Sequence, residues 1–206
     1  SDLISGLSSF FSTITATIYS GYVGGIAAVL AGGTITQCTS NVQITATGTS
    51  GALNVGGIAG AIRDQSKEST IEYAVNNGTL TVNAISAATG SGDENNGGGI
   101  VGLVAVKCGV EITRTINNGN IIVTGGKDNI GGIVGQTSVN ESATYANITY
   151  CANKGDITAY KVEGERAAGI IGYTKGGKIE YCYNIGNIIE YTDDGSTVAR
   201  EGYGNY

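Results

Sequence analysis

A chain of 206 residues that is 41% apolar and only 14% charged is too hydrophobic and too sparsely charged to stay disordered, and it is long enough to bury a substantial core as one domain or two. Glycine supplies 35 residues while Pro, Met, Trp and His are absent; the glycines keep no collagen period, so a triple helix is excluded. A net charge of −6 without a Lys/Arg cluster gives no footprint for nucleic acid or an anionic membrane, and no apolar run approaches the ~20 residues that cross a bilayer.

The stretch 1–21 reads as an N-terminal cap and a partial coil. "SDLISGLSSFF" lacks a basic leader, so the segment reads as already processed. Phe10 and Phe11 are suited to covering apolar surface, and "TITATIYSGYVGG" at 13–25 resembles the last third of a coil, with Ile14 in the place Ile44 takes later.

Residues 22–191 hold five copies of one pattern. Each opens on Gly-Ile-x-Gly or a near variant: "GGIAA" at 24–28, "GGIAG" at 56–60, "GGIVG" at 98–102, "GGIVG" at 131–135 and "AGIIG" at 168–172. An isoleucine follows at Ile35, Ile71, Ile112, Ile148 and Ile179, and then a second motif. In that motif a small residue (Cys38, Ala74, Thr115, Cys151, Cys182) leads to Ser40, Asn76, Asn117, Asn153 or Asn184. Val42, Gly78, Gly119, Gly155 or Gly186 comes next, and Ile44, Leu80, Ile121, Ile157 or Ile188 closes it. The steps between copies are 36, 41, 36 and 31 residues, with the variation confined to stretches such as 83–96 and 137–147. A fixed frame with variable connectors marks a solenoid whose insertions leave as loops. The tail 192–206 is charged and glycine-bearing, suited to capping or fraying.

Each copy contains three short Ile/Val-rich segments and no run long enough for helical periodicity. The expected fold is therefore all-β: a single-domain right-handed parallel β-helix of about five coils with three short strands each. A leucine-rich horseshoe is the nearest rival, but its helical half is missing. In such a stack Asn76, Asn117, Asn153 and Asn184 form a structural ladder inside a corner, bonding backbone and one another. The glycine two residues on is expected to adopt a backbone conformation closed to other residues.

Gly-Gly-Ile-Val-Gly followed by Ile-x-x-Cys-x-Asn-x-Gly-x-Ile resembles the GLUG-type repeats of bacterial cell-surface proteins, over about residues 22–191. The resemblance implies an extracellular β-helical repeat, secreted or cell-surface anchored, from a larger surface protein. Its roles would be adhesion or spacing, and it carries no catalytic residues to transfer. Copy one departs most, with Ala28, Ser40 and Val42 in place of Gly, Asn and Gly.

Cys38, Cys151 and Cys182 read as small packing residues. Parallel stacking makes a Cys151–Cys182 disulfide geometrically poor, and without His, with Cys108 off the column, no metal site is expected. Acidic residues scatter (Asp64, Glu68, Glu72, Asp93, Glu94, Glu163, Glu165), and a solvated face is the plainer reading than a glycosidase pair. The absence of His removes the usual triads. The residue before the small column reads Gln37, Tyr73, Arg114, Tyr150, Tyr181, with Tyr183 beside it and Tyr160 and Tyr191 matched in the last two coils. Tyr and Arg bring contact area with a polar handle, so Tyr73, Arg114, Tyr150, Tyr181 and Tyr183 are the candidate ligand contacts, although a packing ladder accounts for them too. Thr-x-Thr pairs at 15–18 and 45–48 break off in later copies, and calcium nonapeptides are absent. The expected function is a non-catalytic surface module, binding glycans or a host protein or acting as a spacer, without cofactor, nucleic acid or membrane insertion. The alternative is a polysaccharide lyase or glycosidase.

Overall fold

The computed structural model describes residues 13–18, 21–49, 51–63, 67–84, 94–105, 109–125, 128–137, 146–160, 166–191 and 197–198. Phe10, Phe11, Cys108, Asp64, Asp93, Glu163, Glu165 and most of the tail lie outside them.

The described chain is a parallel β-helix made only of strands. Taken along one coil, the first sheet stacks Gly21–Gly24, Leu53–Gly56, Asn95–Gly98, Asp128–Gly131 and Arg166–Ala168. The second stacks Ala27–Leu30, Ala59–Ile62, Val101–Val104, Val134–Thr137 and Ile171–Thr174. Gly33–Thr36, Ser69–Glu72, Val110–Thr113, Ala146–Thr149 and Lys178–Glu180 make the third, and the two-residue strands ending at Ser40, Asn76, Asn117, Asn153 and Asn184 make the fourth. The fifth runs from Thr13–Ile18 through Gln43–Gly48, Leu80–Ala84, Ile121–Thr124 and Ile157–Tyr160 to Ile188–Tyr191, and Thr197–Val198 closes it antiparallel.

Register follows the sequence columns. Ile35, Ile71, Ile112, Ile148 and Ile179 pair in succession, and Ile14 pairs with Ile44. The strand count differs from expectation, because each coil holds five paired segments instead of three. Gly-Gly-Ile bends what reads as one apolar segment into the first and second sheets, and the Asn corner is itself a short bridge.

The interior is divided into two apolar compartments. One holds Ile58, Ile62, Ile71, Ile100, Ile112, Ile133, Ile148 and Cys151 between the second and third sheets. The other holds Ile44, Leu53, Leu80, Val82, Ile121, Ile130 and Ile157 between the first and fifth. The divider is the Asn ladder. Each rung donates Nδ2 to the Oδ1 of the next, at 2.8 Å from Asn76 to Asn117, 2.8 Å from Asn117 to Asn153 and 2.7 Å from Asn153 to Asn184. The same amides donate to the carbonyls of Gly78, Gly119, Gly155 and Gly186, so the buried amides have partners, as buried polar groups require.

The two repeat motifs meet across this divider. A Cβ on Gly57, Gly99 or Gly132 would lie 2.3 Å from the Cγ of Asn76, Asn117 or Asn153, and one on Gly169 would lie 2.4 Å from the Cβ of Asn184. The second glycine of Gly-Gly-Ile is therefore the seat of the Asn side chain in its own coil.

The glycine after the Asn is required for a different reason from the one expected. Gly78, Gly119, Gly155 and Gly186 are not among the residues with positive φ. A Cβ on them would instead meet the preceding coil, 1.8 Å from the Val42 carbonyl oxygen for Gly78, 1.9 Å from that of Gly78 for Gly119, and 2.0 Å for each of the last two. Gly60 and Gly102 likewise face the carbonyl of the residue in the coil ahead, at 2.7 Å. Among the described residues nothing stacks ahead of copy one in these columns, and there Ala28 and Val42 carry side chains where later copies have no room for them.

Candidate functional site

The corner between the third and fourth sheets holds Gln37, Tyr73, Arg114, Tyr150 and Tyr181, with φ values of 51°, 52°, 51°, 56° and 54°. The chain must turn sharply there while stacking its backbone. The amides of Gln37, Tyr73, Arg114 and Tyr150 donate to the carbonyls of Glu72, Thr113, Thr149 and Glu180 in the following coil. A left-handed conformation costs an L-residue roughly 1–2 kcal/mol, and glycine would avoid the cost. This chain has 35 glycines and places none at these corners.

Stacking recovers part of that cost. The Arg114 guanidinium carbon lies 5.6 Å from the Tyr73 ring centroid and 5.4 Å from that of Tyr150, so the cation is held between two rings. Tyr150 and Tyr181 stack at 4.8 Å with planes 12° apart. Such contacts contribute about 0.5–1.5 kcal/mol each.

Stacking also decides what a ligand would meet. Ring faces inside the column are turned to one another, which leaves ring edges, hydroxyls and the guanidinium edge for solvent. Tyr181, at 70% exposed, ends the column among the described residues, with one ring face not stacked on any of them. Tyr183 is also exposed, but it belongs to the fourth sheet, after Ala152 in that column. The structure thus brings Tyr73, Arg114, Tyr150 and Tyr181 into one contiguous row with Tyr183 next to it. Of the acidic residues, Glu72 accepts a hydrogen bond from Thr36, and Glu94 lies at the first sheet with Arg166, away from this row. Tyr160 and Tyr191 stack separately on the fifth sheet, at 4.8 Å and 6°.

A second amide ladder, not expected from the two repeat motifs, has its signal in the sequence as Asn-x-Gly-Gly-Ile at 54–58, 96–100 and 129–133. Asn96 donates to Asn54 at 2.7 Å and Asn129 to Asn96 at 3.0 Å, toward the preceding coil and so opposite in direction to the first ladder. Arg166 ends the row, donating to the Asn129 oxygen at 2.9 Å, pairing with Glu94 and lying over the Tyr173 ring at 4.1 Å. At the other end Arg63 donates to the Tyr22 hydroxyl. These contacts explain a structural seam and bring no reactive pair together.

The small column carries free thiols. Thr115 Oγ1 donates to Cys151 Sγ at 3.2 Å, and the Cys151 amide donates to Cys182 Sγ at 3.4 Å. Hydrogen bonding from Cys151 draws the Cys182 thiol down to about 7 against its burial, whereas the Cys151 thiol is pushed up by its bond to Cys182 and by desolvation. The expected result is alkylation of Cys182 by iodoacetamide at a rate that rises with pH around 7, with Cys151 protected. Thiol-resolved mass spectrometry checks this, and a half-rise near 9 for Cys182 would contradict it.

Comparison with known proteins gives one distant likeness. The chain is 28% identical over 166 residues, 81% of its length, to Halomucin of Haloquadratum walsbyi (strain DSM 16790 / HBSQ001). It spans 2% of that protein's length. No family model matches the chain, and no solved structure matches it.

Proposed function

We propose that this chain is a non-catalytic module of an extracellular surface protein, built from GLUG-type repeats, that binds glycans along the Tyr73–Arg114–Tyr150–Tyr181 row. The observation that carries the reading is the row itself: large polar-tipped side chains kept at five corners where the backbone favours glycine. Strained positions are retained where the side chain has a use. Likeness to Halomucin, of whose length the chain spans 2%, is compatible with a surface module.

The row is suited to a saccharide chain running along the solenoid. Tyr181 offers one face for a sugar ring to stack on, and the hydroxyls and guanidinium edge offer hydrogen bonds repeated once per coil. Coils are spaced by about 4.8 Å, so successive contacts reach successive parts of an extended ligand.

The test is a glycan panel read for both binding and product release. Binding without turnover is expected, with Tyr150→Ala and Tyr181→Ala each weakening it about tenfold or more, the size of a hot-spot aromatic. Release of cleaved product would overturn the non-catalytic reading. Silence across the panel would overturn the glycan reading.

A further inference from the structure

Resting on that reading, we infer that the ligand is an acidic glycan whose carboxylate or sulfate groups are held by Arg114. Arg114 has both faces of its guanidinium covered by Tyr73 and Tyr150, so only the edge that carries its donors is open. That edge is the part that recognises planar oxyanions in bidentate fashion. The two rings fix its orientation in advance, which reduces the ordering cost of binding.

The charges around it are distributed unevenly in their engagement. Glu72, beside Tyr73, accepts from Thr36 Oγ1 at 3.2 Å. Glu180, beside Tyr181, holds Lys178 Nζ at 2.8 Å, and Asp156 accepts from Asn187. Arg114 has its two rings and no carboxylate within ion-pair distance among the described residues. Lys154 is exposed four residues after Tyr150, in the column that begins with the mutually bonded amides of Asn41, Asn77 and Asn118. Of these carboxylates only Glu180 has its charge paired, whereas Glu72 and Asp156 accept from neutral donors and keep theirs. An anionic ligand group therefore meets Glu72 as well as the open edge of Arg114, and it is the preset guanidinium edge that favours it.

Net charge makes the inference discriminating. At −6 the protein as a whole repels polyanions, so general electrostatic attraction works against their binding. Any selective uptake of an acidic polymer has to come from a local site.

The experiment measures binding of the full chain to polygalacturonate, dextran sulfate and neutral dextran by isothermal titration at low salt. Arg114→Gln is the informative variant, because Gln37 already occupies the same corner in copy one and the substitution is one that the column accommodates. Binding of one or both acidic polymers at least tenfold tighter than neutral dextran, lost about tenfold or more in Arg114→Gln and only partly kept in Arg114→Lys, is expected. Comparing the two acidic arms separates carboxylate from sulfate. Neutral dextran bound as tightly as the acidic polymers, or acidic binding unchanged in Arg114→Gln, would overturn this inference while leaving glycan binding in place. Failure of all three polymers together with silence across the glycan panel would instead overturn the binding reading beneath it.

Discussion

Replacing Gly119 with alanine is expected to destabilise the fold by about 3 kcal/mol or more, the upper range for overpacking a tight contact. The added methyl would lie 1.9 Å from the Gly78 carbonyl oxygen and 2.6 Å from its carbon. Neither atom can rotate away, because both belong to the stacked backbone. Separating the coils to admit the methyl would stretch the Asn76–Asn117 bond, now 2.8 Å, and the ladder on either side of it. By contrast, Val42→Ala, in the same column with no described residue stacked ahead of it, is expected to cost about 1 kcal/mol, the value of lost apolar burial alone. Denaturant titration of both variants checks the pair. Equal costs would show that close stacking of coils is not what the glycine serves.

The second large effect is expected at Asp128, which is 2% exposed. Neither carboxylate oxygen has a hydrogen-bond partner in good geometry. Asn95, opposite it in the preceding coil, offsets the burial only in part by hydrogen bonding, and its own oxygen accepts from the Leu53 amide at 2.9 Å. Burial therefore raises the Asp128 carboxyl from its ordinary 3.8 to about 7. Between those values the folded chain holds a proton that the unfolded chain has released. Stability from this group is thus fully present below the lower value and is lost as pH rises through the higher one. A shift of that size corresponds to about 4 kcal/mol. Asp128→Asn is expected to be more stable than the parent at pH 8 by up to that amount, to lose the advantage toward pH 4, and to extend the amide column begun by Asn95. Chemical denaturation of both proteins across this range tests it; a constant difference at all pH values would refute the linkage.

The stack was legible in the sequence because its columns keep identical offsets, and Ile14, Ile35 and Asn76 fall in register where the spacing puts them. The strand count was not, since Gly-Gly-Ile reads as a continuation of an apolar segment until the Asn side chain in the same coil shows why it must bend there. The Tyr/Arg row was visible as a column, but its left-handed backbone was not. Tyr and Arg have no local preference for that conformation, and the tertiary corner imposes it. Gly78 and its equivalents were visible as invariant in the later copies, yet their cause lies in the neighbouring coil and not in their own dihedral angles. The direction of the second amide ladder likewise depends on contacts 33 and 42 residues apart.

The side chains of Ala28 and Val42 set a rule of order for the copies. An interior copy presents the same bare glycine surface forward and back, so its duplication in place would create interfaces that already exist, and the array could lengthen by tandem gain of whole units. Copy one is not interchangeable in this way, because moving it inward would drive two side chains into carbonyls of the coil ahead. Among the five described copies, gain and loss of whole units are thereby steered to those that follow copy one, and copy one keeps its place ahead of them.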